Sequence, residues 1–163
     1  MLQFTFIESD TDLVQACARI CKHTIIGVDL EADSMHSFKE KICLIQIATC
    51  DEAFLVDPFT IDNFSPFVQI LENPDIIKVF HGADFDVRSL DREMGARIEN
   101  LFDTEIACRF LSVRERGLAA LLKAHFDVYV DKKFQKQDWS RRPLKPDMVA
   151  YSVGDVAYLI ALH

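Results

Sequence analysis

The chain has 163 residues, half of them apolar and 27% charged, which suits one compact domain and excludes a disordered chain. No apolar run approaches the length of a membrane span, about 20 residues, and the N-terminus is acidic without a basic start, unlike a signal peptide. A net charge of −8 argues against a protein that holds nucleic acid through its bulk charge.

In chain order, residues 10–22 predict a capped amphipathic helix. Strand candidates follow at 24–32, 41–49 and 53–57, close enough in sequence for an antiparallel meander. A helix over 64–72 stops before Pro74, and a short apolar strand over 76–80 ends at His81-Gly82. A helix over 85–94 has Gly95 as its C-cap. Then come a strand over 97–102, helices over 104–111 and 118–126, a basic loop over 127–146 and a last helix over 147–162. A meander followed by strand–helix alternation predicts an α/β fold, a mixed sheet flanked by helices in a single domain. Periodicity alone does not choose among α/β folds. The five cysteines (Cys17, Cys21, Cys43, Cys50, Cys108) form no disulfide framework, which points to a reducing, cytoplasmic setting. Cys17 and Cys21 read as buried or free thiols rather than metal ligands, because no second Cys/His pair has suitable spacing.

Charge is unevenly placed. From Arg109 to Lys145 there are ten Lys/Arg against four Asp/Glu, a local balance of +6 that leaves −14 elsewhere. That is either a solvated basic face or a track for an anionic substrate. Asp29 and Glu31 stand two apart within a β-branched run, so on a strand they share a face. Carboxylates there are unusual, since unpaired buried charge is costly. The plain alternative is an exposed strand edge. Tyr151 and Asp155 stand four apart and share a helix face; alone, Tyr151 reads as a half-buried helix tyrosine. Asp86 follows His81 by five residues, with Asp84 as its competitor. Four carboxylates meeting at one point repel unless cations neutralise them. Hard divalent ions take such oxygen ligands, and a two-metal carboxylate site suits phosphodiester cleavage.

Five blocks carry a resemblance that runs from about Ile25 to the last residue. They are Val28-Asp29-Leu30-Glu31, the stretch from Val79 to Leu90 containing His81 and Asp86, Phe102-Asp103-Thr104, the stretch from Lys132 to Leu144, and Tyr151-Ser152-Val153-Gly154-Asp155. In this order and spacing they resemble the ribonuclease D-type 3′–5′ exonucleases, the tyrosine subclass of the DEDD exonuclease superfamily. The resemblance implies a ribonuclease H-like mixed sheet. It implies two divalent ions, Mg²⁺ or Mn²⁺, held by Asp29, Glu31, Asp86 and Asp155, with Tyr151 orienting the attacking water. It implies hydrolysis at single-stranded 3′ ends with release of nucleoside 5′-monophosphates. RNA is favoured because Asp138-Trp139-x-x-Arg142-Pro143-Leu144 is similar to the ribonuclease D and exosome-associated members. A DNA exonuclease and a non-cleaving nucleic-acid-binding module on the same fold are the alternatives. Expected substrate contacts are His36 and Phe38 after the first block, and Lys132, Lys133, Gln135 and Arg142 for phosphates. His81 and Asp103 are expected to support the cluster, and Trp139 to anchor its loop. Members of the family usually continue into helical nucleic-acid-binding domains, and no such segment is visible between residues 1 and 163. No membrane partner is expected, and oligomeric state is left open.

Overall fold

The computed structural model describes residues 2–33 and 40–163, and the Lys132 side chain lies outside the described set. Among the described residues six strands form one sheet: β1 (Phe4–Ile7), β2 (Ile25–Ala32), β3 (Ile42–Ala48), β4 (Ala53–Val56), β5 (Ile77–Phe80) and β6 (Leu101–Asp103). Their spatial order is β1-β4-β3-β2-β5-β6. Strands β2, β3 and β4 make the antiparallel meander that the sequence predicts. Strands β5 and β6 extend it in parallel from β2, and β1 adds in parallel to β4. The sheet is therefore mixed, as expected. The sequence does not announce β1: only Ile7 of its four residues is buried, and so short an alternation carries little signal.

Seven helices among the described residues surround the sheet: α1 (Asp10–Ile20), α2 (Ser65–Leu71), α3 (Asp84–Met94), α4 (Thr104–Phe110), α5 (Leu118–Phe126), α6 (Pro146–Ala157) and α7 (Leu159–Leu162). Helix α1 starts where the Ser9 side chain accepts from the Asp12 N–H. Helix α3 ends on Gly95 in the left-handed conformation, φ 67°, a position that glycine fills without a Cβ penalty. Three expectations change. The last helix breaks at Tyr158 (φ −111°, ψ −4°) into α6 and α7. The basic loop contains a 3₁₀ turn, Lys132–Lys136. The strand expected from residue 97 begins at Leu101.

One face of the sheet is continuous and dry. Ile26, Val28 and Leu30 of β2, Ile45 and Ile47 of β3, and Phe54 and Val56 of β4 pack there against Leu13, Ile20, Phe67, Ile70 and Leu90 of α1–α3. The other face has two apolar clusters. Leu44, Leu55, Trp139, Met148 and Val153 form one, and Ala48, Val79, Val156 and Leu159 the other. Strand alternation puts Gly27, Asp29 and Glu31 on this second face, under α6 and α7. A Cβ on Gly27 would lie 3.0 Å from the Leu159 Cβ and 3.2 Å from the Val156 carbonyl oxygen. Glycine thus lets the joint between α6 and α7 sit directly on β2, two residues before Asp29.

Candidate active site

Strand β2 and helix α6 bring Asp29, Glu31 and Asp155 together: one carboxylate oxygen from each lies within 4.8 Å of the others. The β2–β3 register shifts immediately after Glu31, and such irregularities re-aim side chains beside functional sites. Asp86 enters from the first turn of α3 and is buried. It stands outside that trio, yet its charge acts on Glu31, and the charge of Asp29 acts on it. The competing Asp84 is exposed and pairs with Arg88 at 2.6 Å, so the second block presents Asp86 to the site.

Burial pushes the Glu31 carboxyl from its ordinary 4.5 up to about 10, and repulsion from Asp29, Asp155 and Asp86 adds to the shift. Burial also raises Asp29, Asp86 and Asp155, and the Asp29 charge raises the latter two further. The protein alone therefore concentrates more negative charge than it neutralises. Oxygen-only donors with surplus charge suit hard divalent cations, so the residues fit such ions. Tyr151 stands one helical turn before Asp155 on α6, close enough for the two groups to act on each other's ionisation. Burial first, then the charges of Asp155 and Glu31, raise its pKa well above the ordinary value. The Tyr151 ring is held between Phe134, 5.2 Å between centroids, and Trp139, 6.2 Å.

These carboxylates open onto a cleft of about 600 Å³ that His81, Glu115, Gln135 and the first turn of α5 also line. His81 Nδ1 lies 2.8 Å from Thr104 Oγ1, and that hydroxyl donates to the Phe80 carbonyl. Burial lowers the His81 pKa against the opposing charges of Asp103 and Glu105. Asp103 caps α4. Burial alone would raise its pKa, but N–H groups of Gly82, Ala83, Ile106 and Glu105 hold it below its ordinary value. It fixes the β5–α3 turn that delivers Asp86.

Trp139 is 1% exposed and donates to the Phe134 carbonyl at 3.2 Å, an anchor of its loop. Arg142 corrects an expectation. Its guanidinium makes a two-pronged pair with buried Asp57, donates to the carbonyls of Cys43 and Trp139, and lies 4.7 Å from the Phe59 ring centroid. Its donors are taken up in fastening the loop to the sheet, which removes it from the phosphate contacts. Gln135 does reach the cleft. Lys133 lines an adjoining cavity with Tyr151 and Asp155, and pairs with Asp131 at 2.8 Å. The Lys132 side chain, His36 and Phe38 lie outside the described residues. Asp33 is buried and accepts from the Lys41 N–H at 2.8 Å, closing the β2–β3 connection.

Sequence reasoning placed α5 at its observed bounds but did not assign Glu115 or the first turn of that helix to the cleft. Gly117 before the apolar run was a usable cap signal. Glu115, within Arg114-Glu115-Arg116, gives no signal that separates it from ordinary surface charge. The other grouping of metal-type side chains among the described residues is His23, Cys50 and Asp51, near the opposite end of β2, where Cys50 and Asp51 are exposed.

The chain matches the 3′–5′ exonuclease family over residues 4–163. It is 39% identical to Protein RRP6-like 3 of Arabidopsis thaliana over 158 residues, which is 96% of this chain and 18% of that protein. The catalytic core of RRP6 from Trypanosoma brucei superposes with a TM-score of 0.95 at 36% identity, covering 99% of this chain and 45% of that one. Escherichia coli RNase D, an exoribonuclease involved in structured RNA processing, superposes with a TM-score of 0.93 at 28% identity, covering 99% and 43%. The chain thus spans less than half the length of each of these proteins. With the family match spanning nearly all of it, the chain belongs to the 3′–5′ exonuclease family.

Proposed function

We propose that this chain is a divalent-metal-dependent 3′–5′ exoribonuclease that removes nucleoside 5′-monophosphates from single-stranded 3′ ends in RNA processing or degradation. The observation that carries the reading is the convergence of Asp29, Glu31 and Asp155 within 4.8 Å, with Tyr151 in the same cleft of about 600 Å³ and Asp86 buried at the start of α3. Asp29, Glu31, Asp86 and Asp155 would hold two divalent ions, Mg²⁺ or Mn²⁺. When bound, such ions supply an activated water and neutralise charge on the leaving oxygen. In the metal-free chain, burial and the Asp155 charge oppose ionisation of Tyr151. Its hydroxyl would orient the attacking water. The uncapped first turn of α5 lines the cleft and can receive a phosphate on its N–H groups. Gln135 and Lys133 would track the backbone of the strand. RNA rather than DNA is inferred from the likeness to RNase D and RRP6. The five unpaired cysteines suit a reducing compartment, and the cytoplasm is the inferred location. No helix among the described residues is long and apolar enough to cross a membrane.

A 5′-labelled single-stranded RNA and its DNA equivalent, incubated with Mn²⁺, Mg²⁺ or EDTA beside Asp29→Asn, tests this. The expected result is a metal-dependent ladder shortening from the 3′ end, faster on RNA and lost in Asp29→Asn. Metal binding without any ladder would support a non-cleaving binding module instead.

A further inference from the structure

Gln46 stands directly across the β2–β3 ladder from Asp29. Residues opposed in an antiparallel pair share a face, with Cβ atoms about 4.5–5.5 Å apart. Gln46 is 0% exposed, and neither its Oε1 nor its Nε2 has a hydrogen-bond partner among the described residues. Leaving a buried amide without partners is costly, because nothing offsets the loss of its hydrogen bonds to water. Packing gives no reason to bear that cost. The neighbours of Gln46 on the same face, Leu44, Ala48 and Leu55, are apolar, and a leucine or methionine would fill the space. The Ser152 hydroxyl of α6 is already engaged, donating to the Val149 carbonyl. Asp29 is the natural counterpart. An ionised carboxylate accepts several hydrogen bonds at once, so Asp29 has acceptor capacity for the amide.

We infer that Gln46 is a positioning residue for Asp29: its amide steers the Asp29 carboxylate, across one water or after a side-chain rotation, and so sets the divalent-ion affinity of the site. The inference rests on the proposed metal-binding role of Asp29. An amide in a dry seam fixes which carboxylate oxygen faces the cleft without adding charge to a cluster that already has a surplus. Groups that orient metal ligands in this way typically change metal affinity by about 10–100-fold when removed.

The test uses calorimetric Mn²⁺ titration and thermal melts in EDTA on the wild-type chain, Gln46→Met, Asp29→Asn and a packing control, Leu55→Met, the β4 residue opposite Gln46. The expected result for Gln46→Met is Mn²⁺ binding weakened about 10–100-fold with a melting temperature equal to or above wild type. Leu55→Met should leave Mn²⁺ affinity unchanged. If Gln46→Met does not fold, Gln46→Leu supplies the same readout. Unchanged Mn²⁺ affinity in the folded Gln46 variant, while Asp29→Asn abolishes binding, would overturn the inference alone. Equal weakening by Gln46→Met and Leu55→Met would overturn it too, by making the effect one of packing. Retained Mn²⁺ binding in Asp29→Asn would instead overturn the reading of the metal site on which the inference rests.

Discussion

Toward α1, α2 and α3, strand β2 presents Ile26, Val28 and Leu30; toward α6 and α7 it presents Gly27, Asp29 and Glu31. The first face is sealed by a continuous cluster that draws on three helices and the strands of the meander. On the second face the apolar core is divided into two clusters, and Gln46 and Asp29 share that face. The same strands thus hold the fold together on one side and a charged site on the other. Apolar burial is worth about 25 cal/mol per Å², so the dry face supplies stability, while the second face retains charges that oppose it.

Exchanging one residue on each face separates these roles. Asp29→Asn should lower the exonuclease rate by about 10³-fold or more, since metal-assisted charge stabilisation is worth several kcal/mol and about 1.4 kcal/mol is a factor of ten. Its melting temperature in EDTA should stay level or rise, because a repelling carboxylate is gone. Ile45→Ala, on the dry face and 0% exposed, should cost about 2–5 kcal/mol of stability and leave the rate per folded molecule near wild type. A stable Ile45→Ala, or an Asp29→Asn that unfolds in EDTA, would undo the contrast. Arg142→Ala probes the second face from the outside. It strands Asp57, which is 1% exposed, and should destabilise by about 3 kcal/mol in urea melts. Gly27→Ala forces the α6–α7 joint away from β2 and shifts Asp155 relative to Asp29. Misplacement of about 1 Å can cost about 100-fold in rate, against about 1–3 kcal/mol for overpacking. A rate loss that exceeds the stability loss would show that the close approach serves the site.

The two faces were also unequally legible. The apolar alternation that makes the dry face is a direct signal of period two, and the meander emerges from it. The acidic pair was legible for the complementary reason: charges inside a β-branched run need a cause. Asp86 over Asp84 was readable from block spacing, and the structure separates them by burial, Asp86 at 6% exposure against an Asp84 side chain at 85%. Arg142 misled because an arginine in a basic loop looks the same whether it meets a phosphate or a buried carboxylate, and Asp57 lies 85 residues away in sequence. Gln46 was invisible because its meaning depends on strand register and on missing partners, neither of which a single sequence displays. Strand β1 and the break at Tyr158 were missed for want of length and of any Gly or Pro signal at Tyr158.

pH sharpens the comparison further. Unfolding returns Glu31 to its ordinary 4.5 from about 10. Between those values the unfolded chain binds fewer protons than the folded one, so metal-free stability should fall as pH rises from about 4.5 toward about 10. Raised values at Asp29, Asp86 and Asp155 act with the same sign. Saturating Mn²⁺ should flatten or reverse the slope, because metal replaces the protons and binds more tightly as they leave. Melting temperatures across that range, with EDTA and with Mn²⁺, check this. A metal-free protein whose stability rises through the same window would mean that the carboxylates are already neutralised by groups of the chain.

The smallest effect expected is that of Lys133→Ala. The Lys133 side chain is 61% exposed, its ammonium pairs with Asp131 and lies 4.8 Å from the Phe134 ring centroid. Exposed pairs of this kind contribute only about 0–1 kcal/mol, so folding should be untouched. If Lys133 follows the substrate backbone, its loss should weaken RNA binding without regard to sequence and reduce the salt slope by about 0.7, the value for one phosphate contact on a single strand. Arg142→Ala gives the opposite pattern, lower stability with an unchanged slope once the protein is folded, because its guanidinium is committed to Asp57 and three carbonyls. Binding measured at several salt concentrations on both variants therefore divides the basic loop into the part that fastens and the part that touches substrate. If Lys133→Ala leaves the slope unchanged, the phosphate contacts must be sought along the first turn of α5 and Gln135 instead.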